Sequence, residues 1–102
     1  MELNEYQRKA FETALPTTKN EPYMALGIGN EAGEVQGKIK KRLRGDKVYS
    51  DDIAKEIGDV LWYCAGLATV LGYDLDEIAQ QNIDKLESRK VRGKLQGDGD
   101  SR

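Results

Sequence analysis

Histidine is absent from the 102 residues. That removes the most common general base, every His-ligated zinc site and the Glu-x-x-His pattern of ferritin-like di-iron bundles. Cysteine occurs once, at Cys64, so no intrachain disulfide can form and a reducing cytoplasm is the expected setting. Basic residues are not in excess. Sixteen Lys and Arg against 18 Asp and Glu leave a net charge of −2, which argues against a general nucleic-acid or membrane-surface binder. No apolar run reaches membrane length, and the opening MELNEYQRKA lacks the pattern of a secretory signal. Chemistry is left to carboxylates, a metal ion, or Lys, Ser, Thr and Tyr groups.

Strand signals are missing too, since no segment alternates apolar and polar residues between turn pairs. The spacing that is present is helical. Leu3, Tyr6, Ala10, Phe11 and Ala14 predict a helix over 3–15 that Pro16 stops. Asn20 is placed to cap a second helix, with Pro22 in its first turn and Gly45 at its end. Ser50 is the expected cap of a third, opened by Asp51 and Asp52 and closed by Gly72. Asp74 and Glu77 read as the capping box of a fourth, running to about Arg92. The fold class is therefore all-α, a small four-helix bundle-like domain over residues 1–92. The Gly-rich polar segment 93–102 is expected to be a flexible C-terminal tail.

Random placement of 18 acids in this length yields roughly three acid pairs at i, i+3; the chain has five. Position relative to each apolar stripe separates them. In the second helix Met24, Ile28, Ala32, Val35 and Ile39 form the stripe, and Glu31, Glu34, Gly27 and Lys38 share one of its edges. In the third, Ile53, Ile57, Val60, Leu61, Cys64, Ala68 and Leu71 form the stripe, flanked by Glu56 and Asp59 with Tyr63 one turn on. Glu2/Glu5 and Asp84/Glu87 point away from their helices' apolar residues, and Asp74/Glu77 has its capping role. Four carboxylates gathered beside a core repel one another unless cations neutralise them, and all-oxygen ligation suits a hard ion such as Mg²⁺. The competing reading is that they are solvated flank residues tethered to nearby lysines.

The fourth helix offers Leu75, Ile78, Ala79 and Leu86 as its inward face, with Asn82 in the middle and Lys85 and Arg89 following at one-turn steps. Such a row suits phosphate oxygens; it also fits a satisfied Asn beside two snorkelling cations. Most of the run KIKKRLRG is accounted for by cations complementing the negative end of a helix. Lys38 stands apart through its shared edge with the glutamates, as a substrate contact or as an i, i+4 partner of Glu34.

Taken together, E31-A-G-E34, E56-I-G-D59 with its G-D-V-L-W-Y continuation, and N82-I-D-K85-L-E-S-R89 resemble the MazG-like family of all-α nucleoside triphosphate pyrophosphohydrolases, over about residues 23–92. The resemblance implies a Mg²⁺-dependent hydrolase, with Mn²⁺ as a substitute, that cleaves (d)NTPs between the α- and β-phosphates to give NMP and pyrophosphate in nucleotide-pool house-cleaning. It implies Glu31, Glu34, Glu56 and Asp59 as metal ligands, with Asn82, Lys85 and Arg89 meeting the phosphates and Tyr63 close to the nucleotide. Glu34 and Glu56 would carry the catalytic roles, Glu34 orienting the attacking water. The family often has a second acid directly before the first motif glutamate; here that place is Asn30.

Residues 60–71, VLWYCAGLATVL, are apolar nearly all round, with Trp62 opposite the main stripe. Four short helices cannot bury such a segment alone, so a homodimer or a homotetramer built as a dimer of dimers is expected, with Trp62 at a helix–helix interface or lining the base pocket. The alternative from another class is a non-enzymatic helical regulatory or protein-interaction module, without turnover or metal-dependent stabilisation. A calcium sensor is excluded, because DGD at 98–100 lacks the twelve-residue loop.

Overall fold

A computed structural model describes all 102 residues. It is wholly α-helical: α1 (Leu3–Glu12), a short 3₁₀ turn (Pro16–Thr18), α2 (Glu21–Leu43), α3 (Ser50–Leu71) and α4 (Leu75–Val91), with no strand. The helix boundaries have local causes. Asn20 Oδ1 accepts from the Tyr23 N–H at 2.8 Å and Pro22 lies in the first turn of α2. Gly72, at φ 82°, takes the left-handed position that ends α3. The α3 cap differs from expectation. Tyr49 occupies the N-cap without a side-chain bond, and Ser50 is the first helical residue, its Oγ accepting from Arg42 Nη2 at 3.4 Å.

Antiparallel α2 and α3 make the main packing unit, and small residues let them approach. The Met24 side chain, fully buried, fills the space over Gly66, and the Tyr63 ring lies where a Cβ on Gly27 would stand. Burying a methionine contributes about 1.5–3 kcal/mol. Arg42 closes the connection by donating to the Val48 carbonyl through Nη2 at 2.8 Å, so one member of the basic run is a loop clasp.

α1 lies across the C-terminal half of α3. Trp62 Nε1 donates to Thr13 Oγ1 at 2.8 Å, which places Trp62 at the α1–α3 interface within the chain. Ala10, Ala65, Ala68 and Leu75 form the small core there, with Tyr6 and Trp62 packed against it. Buried Gln7 ties three elements: Nε2 donates to Thr69 Oγ1 (3.1 Å) and the Tyr73 carbonyl (2.8 Å), and Oε1 accepts from the Leu75 N–H (2.8 Å). Asn4 accepts from the Asp76 N–H at 3.0 Å, and Glu77 accepts from the Asp74 N–H at 3.4 Å. The first turn of α4 is thus capped as much by α1 as by its own box.

Beyond that turn α4 is loosely held, and the four helices do not close into a bundle within one chain. The radius of gyration is 16.2 Å, against about 13 Å for a compact chain of this length. The apolar stripe expected on α3 is only partly buried. Ala68 is covered, but Ile57, Leu61 and Leu71 are exposed. Ala65 and Gly66, outside that stripe, are covered because α1 and Met24 approach where side chains are small. Ile39 on α2 and Ile78, Ile83 and Leu86 on α4 are open as well.

Candidate metal centre

The packing that joins α2 to α3 also sets the carboxylates. From Met24 to Gly27 to Glu31 the steps are three and four residues; from Gly66 back to Tyr63 and Asp59 they are the same. Each turn along α2 is matched by one turn back along α3, so Glu31 arrives beside Asp59. Glu56, one turn from Asp59, completes a group whose oxygens all lie within 4.8 Å of one another.

The electrostatics are those of crowded negative charge. The Glu31 carboxyl is raised above its ordinary value, first by partial desolvation, then by the charge of Asp59, a carboxyl–carboxyl contact with Glu56 and the charges of Glu56 and Glu34. Lys38 Nζ stands 3.6 Å from Glu56 Oε1, both partly buried. Its partner is therefore Glu56 across the hairpin rather than Glu34 on its own helix. One cation does not neutralise three carboxylates. All three donors are carboxylate oxygens, the type that a hard divalent ion would take, and the donor set fits such an ion.

Glu34 is exposed and lies outside the group of three, though near enough for its charge to act on Glu31. Tyr63 stands beside the carboxylates. Its hydroxyl is raised by burial first, then by neighbouring Tyr23 and by the charges of Glu31 and Asp59. Trp62 meets the Tyr63 ring edge-on at 4.9 Å between centroids, and Tyr23 lies 6.2 Å away, tilted. Tyr23, Leu26, Gly27, Asn30 and Tyr63 line a hollow of about 260 Å³ next to Glu31. Tyr23 and Leu26 were not among the residues singled out from the sequence; Tyr23 sits two turns before Glu31, a periodicity that could have pointed to it. A hollow of about 510 Å³ along α4, lined by Asp76, Glu77, Ala79, Gln80 and Ile83, has no cationic side chain.

The basic row lies apart from the hairpin, on α4. Asn82 is exposed and lines, with Ile78, Gln81 and Lys85, a hollow of about 250 Å³. Lys85 and Arg89 are engaged by residues 99–100 of their own chain. Lys85 Nζ is 3.2 Å from Asp100 Oδ1, and Arg89 Nη2 donates to the Asp100 carbonyl at 2.5 Å. Residues 93–102 form turns and bends rather than helix.

An all-α chain carrying a hairpin-borne carboxylate triad, with an aromatic hollow at its side, is a helical protein with a candidate metal centre. Residues 19–92 match the MazG nucleotide pyrophosphohydrolase domain, and the chain belongs to that family. It is also 40% identical, over 114 aligned positions covering 100% of both chains, to the Gene 37 protein of Mycobacterium phage L5. No solved structure matches. No helix is long and apolar enough to cross a membrane.

Proposed function

We propose that the protein is a Mg²⁺-dependent nucleoside triphosphate pyrophosphohydrolase, adding water across the α–β anhydride of a (d)NTP to release NMP and pyrophosphate. The observation that carries this reading is the convergence of Glu31, Glu56 and Asp59 on facing turns of α2 and α3, within a chain of the pyrophosphohydrolase family. These three, with Glu34, are the proposed ligands, Mn²⁺ being an acceptable substitute. Bound metal would supply Lewis-acid neutralisation of phosphate charge. Glu34, less engaged than the others, is suited to orient the attacking water, a role that needs no histidine. Lys38 holds Glu56 in place and offers a cation to substrate. Tyr63 forms the wall against which the nucleotide rests, its base entering the hollow shared with Tyr23.

Asn82, Lys85 and Arg89 are the proposed phosphate contacts. The exposed apolar faces of α3 and α4 support a homodimer or dimer of dimers, because a chain this open gains core only by association. Cytoplasmic clearance of unwanted nucleotides is the matching role. The deciding assay incubates the purified chain with NTPs and dNTPs, with and without Mg²⁺, and resolves products. Monophosphate and pyrophosphate are expected; diphosphate and orthophosphate would reject α–β cleavage. A helical interaction module predicts neither product, and no rise in melting temperature with Mg²⁺.

A further inference from the structure

The guanidinium of Arg89 is the most deeply placed charge in the chain, its side chain 5% exposed, and its hydrogen bonding is lopsided. Nη2 donates to three acceptors from the tail: the Asp100 carbonyl at 2.5 Å, the Gly99 carbonyl at 3.3 Å and Asp100 Oδ1 at 3.5 Å. Nε is buried and donates to nothing. An oxyanion meeting guanidinium edge-on takes Nε and Nη2 together in two parallel bonds. The tail therefore supplies charge at this site without the geometry that the site can accept, and it leaves a buried donor unpaired, which is unfavourable.

The same Asp100 carboxylate reaches Lys85 Nζ at 3.2 Å, and Lys85 borders the open hollow it shares with Asn82. The tail is shaped to deliver it. Gly93 and Gly99, at φ 68° and 81°, turn the chain back in a conformation that side-chain-bearing residues avoid. Arg102 then closes the loop by donating to the carbonyls of Lys94 (3.0 Å), Gly99 (2.6 Å) and Leu95 (2.8 Å). Asp100 itself is 86% exposed, so it can leave without breaking any core contact.

We propose that residues 99–100 act as a built-in anionic ligand of Lys85 and Arg89, displaced when the phosphate chain of a polyphosphate compound takes the same two cations. The inference rests on the reading of Lys85 and Arg89 as phosphate contacts. Occupied by the tail, the basic pair is kept from adventitious anions, and phosphate binding must outcompete one carboxylate and two carbonyls. The tail thus lowers apparent affinity for every polyphosphate, whatever the base.

The test uses the full chain in metal-free buffer with inorganic tripolyphosphate as probe and isothermal titration calorimetry as readout. D100N should bind tripolyphosphate about three-fold more tightly than wild type, the scale of an exposed ion pair. D98N, which removes the same charge from a tail residue that touches neither cation, should match wild type. In wild type, the Gly99 and Asp100 amide signals should shift as tripolyphosphate is added. Equal affinity of D100N and wild type, equal tightening by D98N, or no binding by any variant overturns the proposal. Turnover of dNTPs with Mg²⁺ is scored separately. Tightening without turnover leaves the tail contact standing and rejects the hydrolase, whereas turnover without tightening does the reverse.

Discussion

The acidic hairpin and the basic fourth helix hold their charges in opposite ways. In the hairpin, Glu31, Glu56 and Asp59 are forced together by packing that has nothing to do with charge, the seating of Met24 on Gly66 and of Tyr63 on Gly27. Their mutual repulsion is imposed by the helix register and only partly relieved by Lys38. On α4, Lys85 and Arg89 sit on a helix anchored mainly at its first turn, and their counter-charge comes from a tail that no core contact holds. A rigid frame can sustain electrostatic strain; a loosely held one takes whatever counter-charge is near. The hairpin thus keeps its carboxylates crowded, whereas the helix takes its counter-charge from the chain's own tail.

The comparison breaks most sharply at the carboxylates. E56A or D59A should lower turnover by about 10³-fold or more, the scale of several kcal/mol of lost charge stabilisation. Near-normal steady-state rates in either variant would remove the hairpin as the site. Next comes the frame that crowds them. G27A drives a methyl into the Tyr63 ring, and should cost about 2–3 kcal/mol in urea unfolding. G33A, on the same helix with nothing near its added methyl, should instead be neutral or stabilising by up to about 1 kcal/mol. If both glycines respond alike, close packing at Gly27 is not what sets the register.

On the other side of the comparison, Q7A removes the staple between α1 and the start of α4. It leaves the Leu75 N–H and Tyr73 carbonyl without their partner, for a loss of about 1–3 kcal/mol. Hydrogen exchange should rise in α4 and remain slow in the hairpin. The smallest effect is electrostatic. The raised carboxyl of Glu31 gives a contribution that is fully present below its unfolded value near 4.5 and is lost as pH rises through the higher folded value. In chelator, the unfolding midpoint of wild type should therefore decline relative to E31Q across that window, and divalent ion should abolish the difference.

Much of this was legible in the chain. The breaks at Gly45 and Gly72 and the caps at Asn20 and Asp74 are local, and local sterics and hydrogen bonding decide them. In contrast, α1, expected to run up to Pro16, ends earlier at Glu12, and Pro16 opens a 3₁₀ turn. Of the four acids selected at stripe edges, Glu31, Glu34, Glu56 and Asp59, three lie together where α2 meets α3, and Glu34 stands outside the group. Periodicity misled at α3. The expected stripe held Ile57, Leu61 and Leu71 as well as Ala68, yet close helix approach buries only Ala68 of these, together with Ala65 and Gly66, and leaves the larger residues outside. Asn82 was expected at the centre of an inward face, but α4 has no helix of its own chain laid along that face, and the residue is exposed.

By itself the sequence determined four helices, the ends of α2 and α4 and the acids that share an edge, because these follow from interactions within a few residues. Tertiary structure alone decided three further matters. It set Glu34 apart from the other three carboxylates, it turned Lys38 toward Glu56, and it brought Asp100 onto Lys85 and Arg89. Each depends on a distance that spacing along one helix does not set: the seating of Tyr63 on Gly27 and of Met24 on Gly66 fixes the first two, and the turns at Gly93 and Gly99 fix the third. No periodicity within a single helix carries that information.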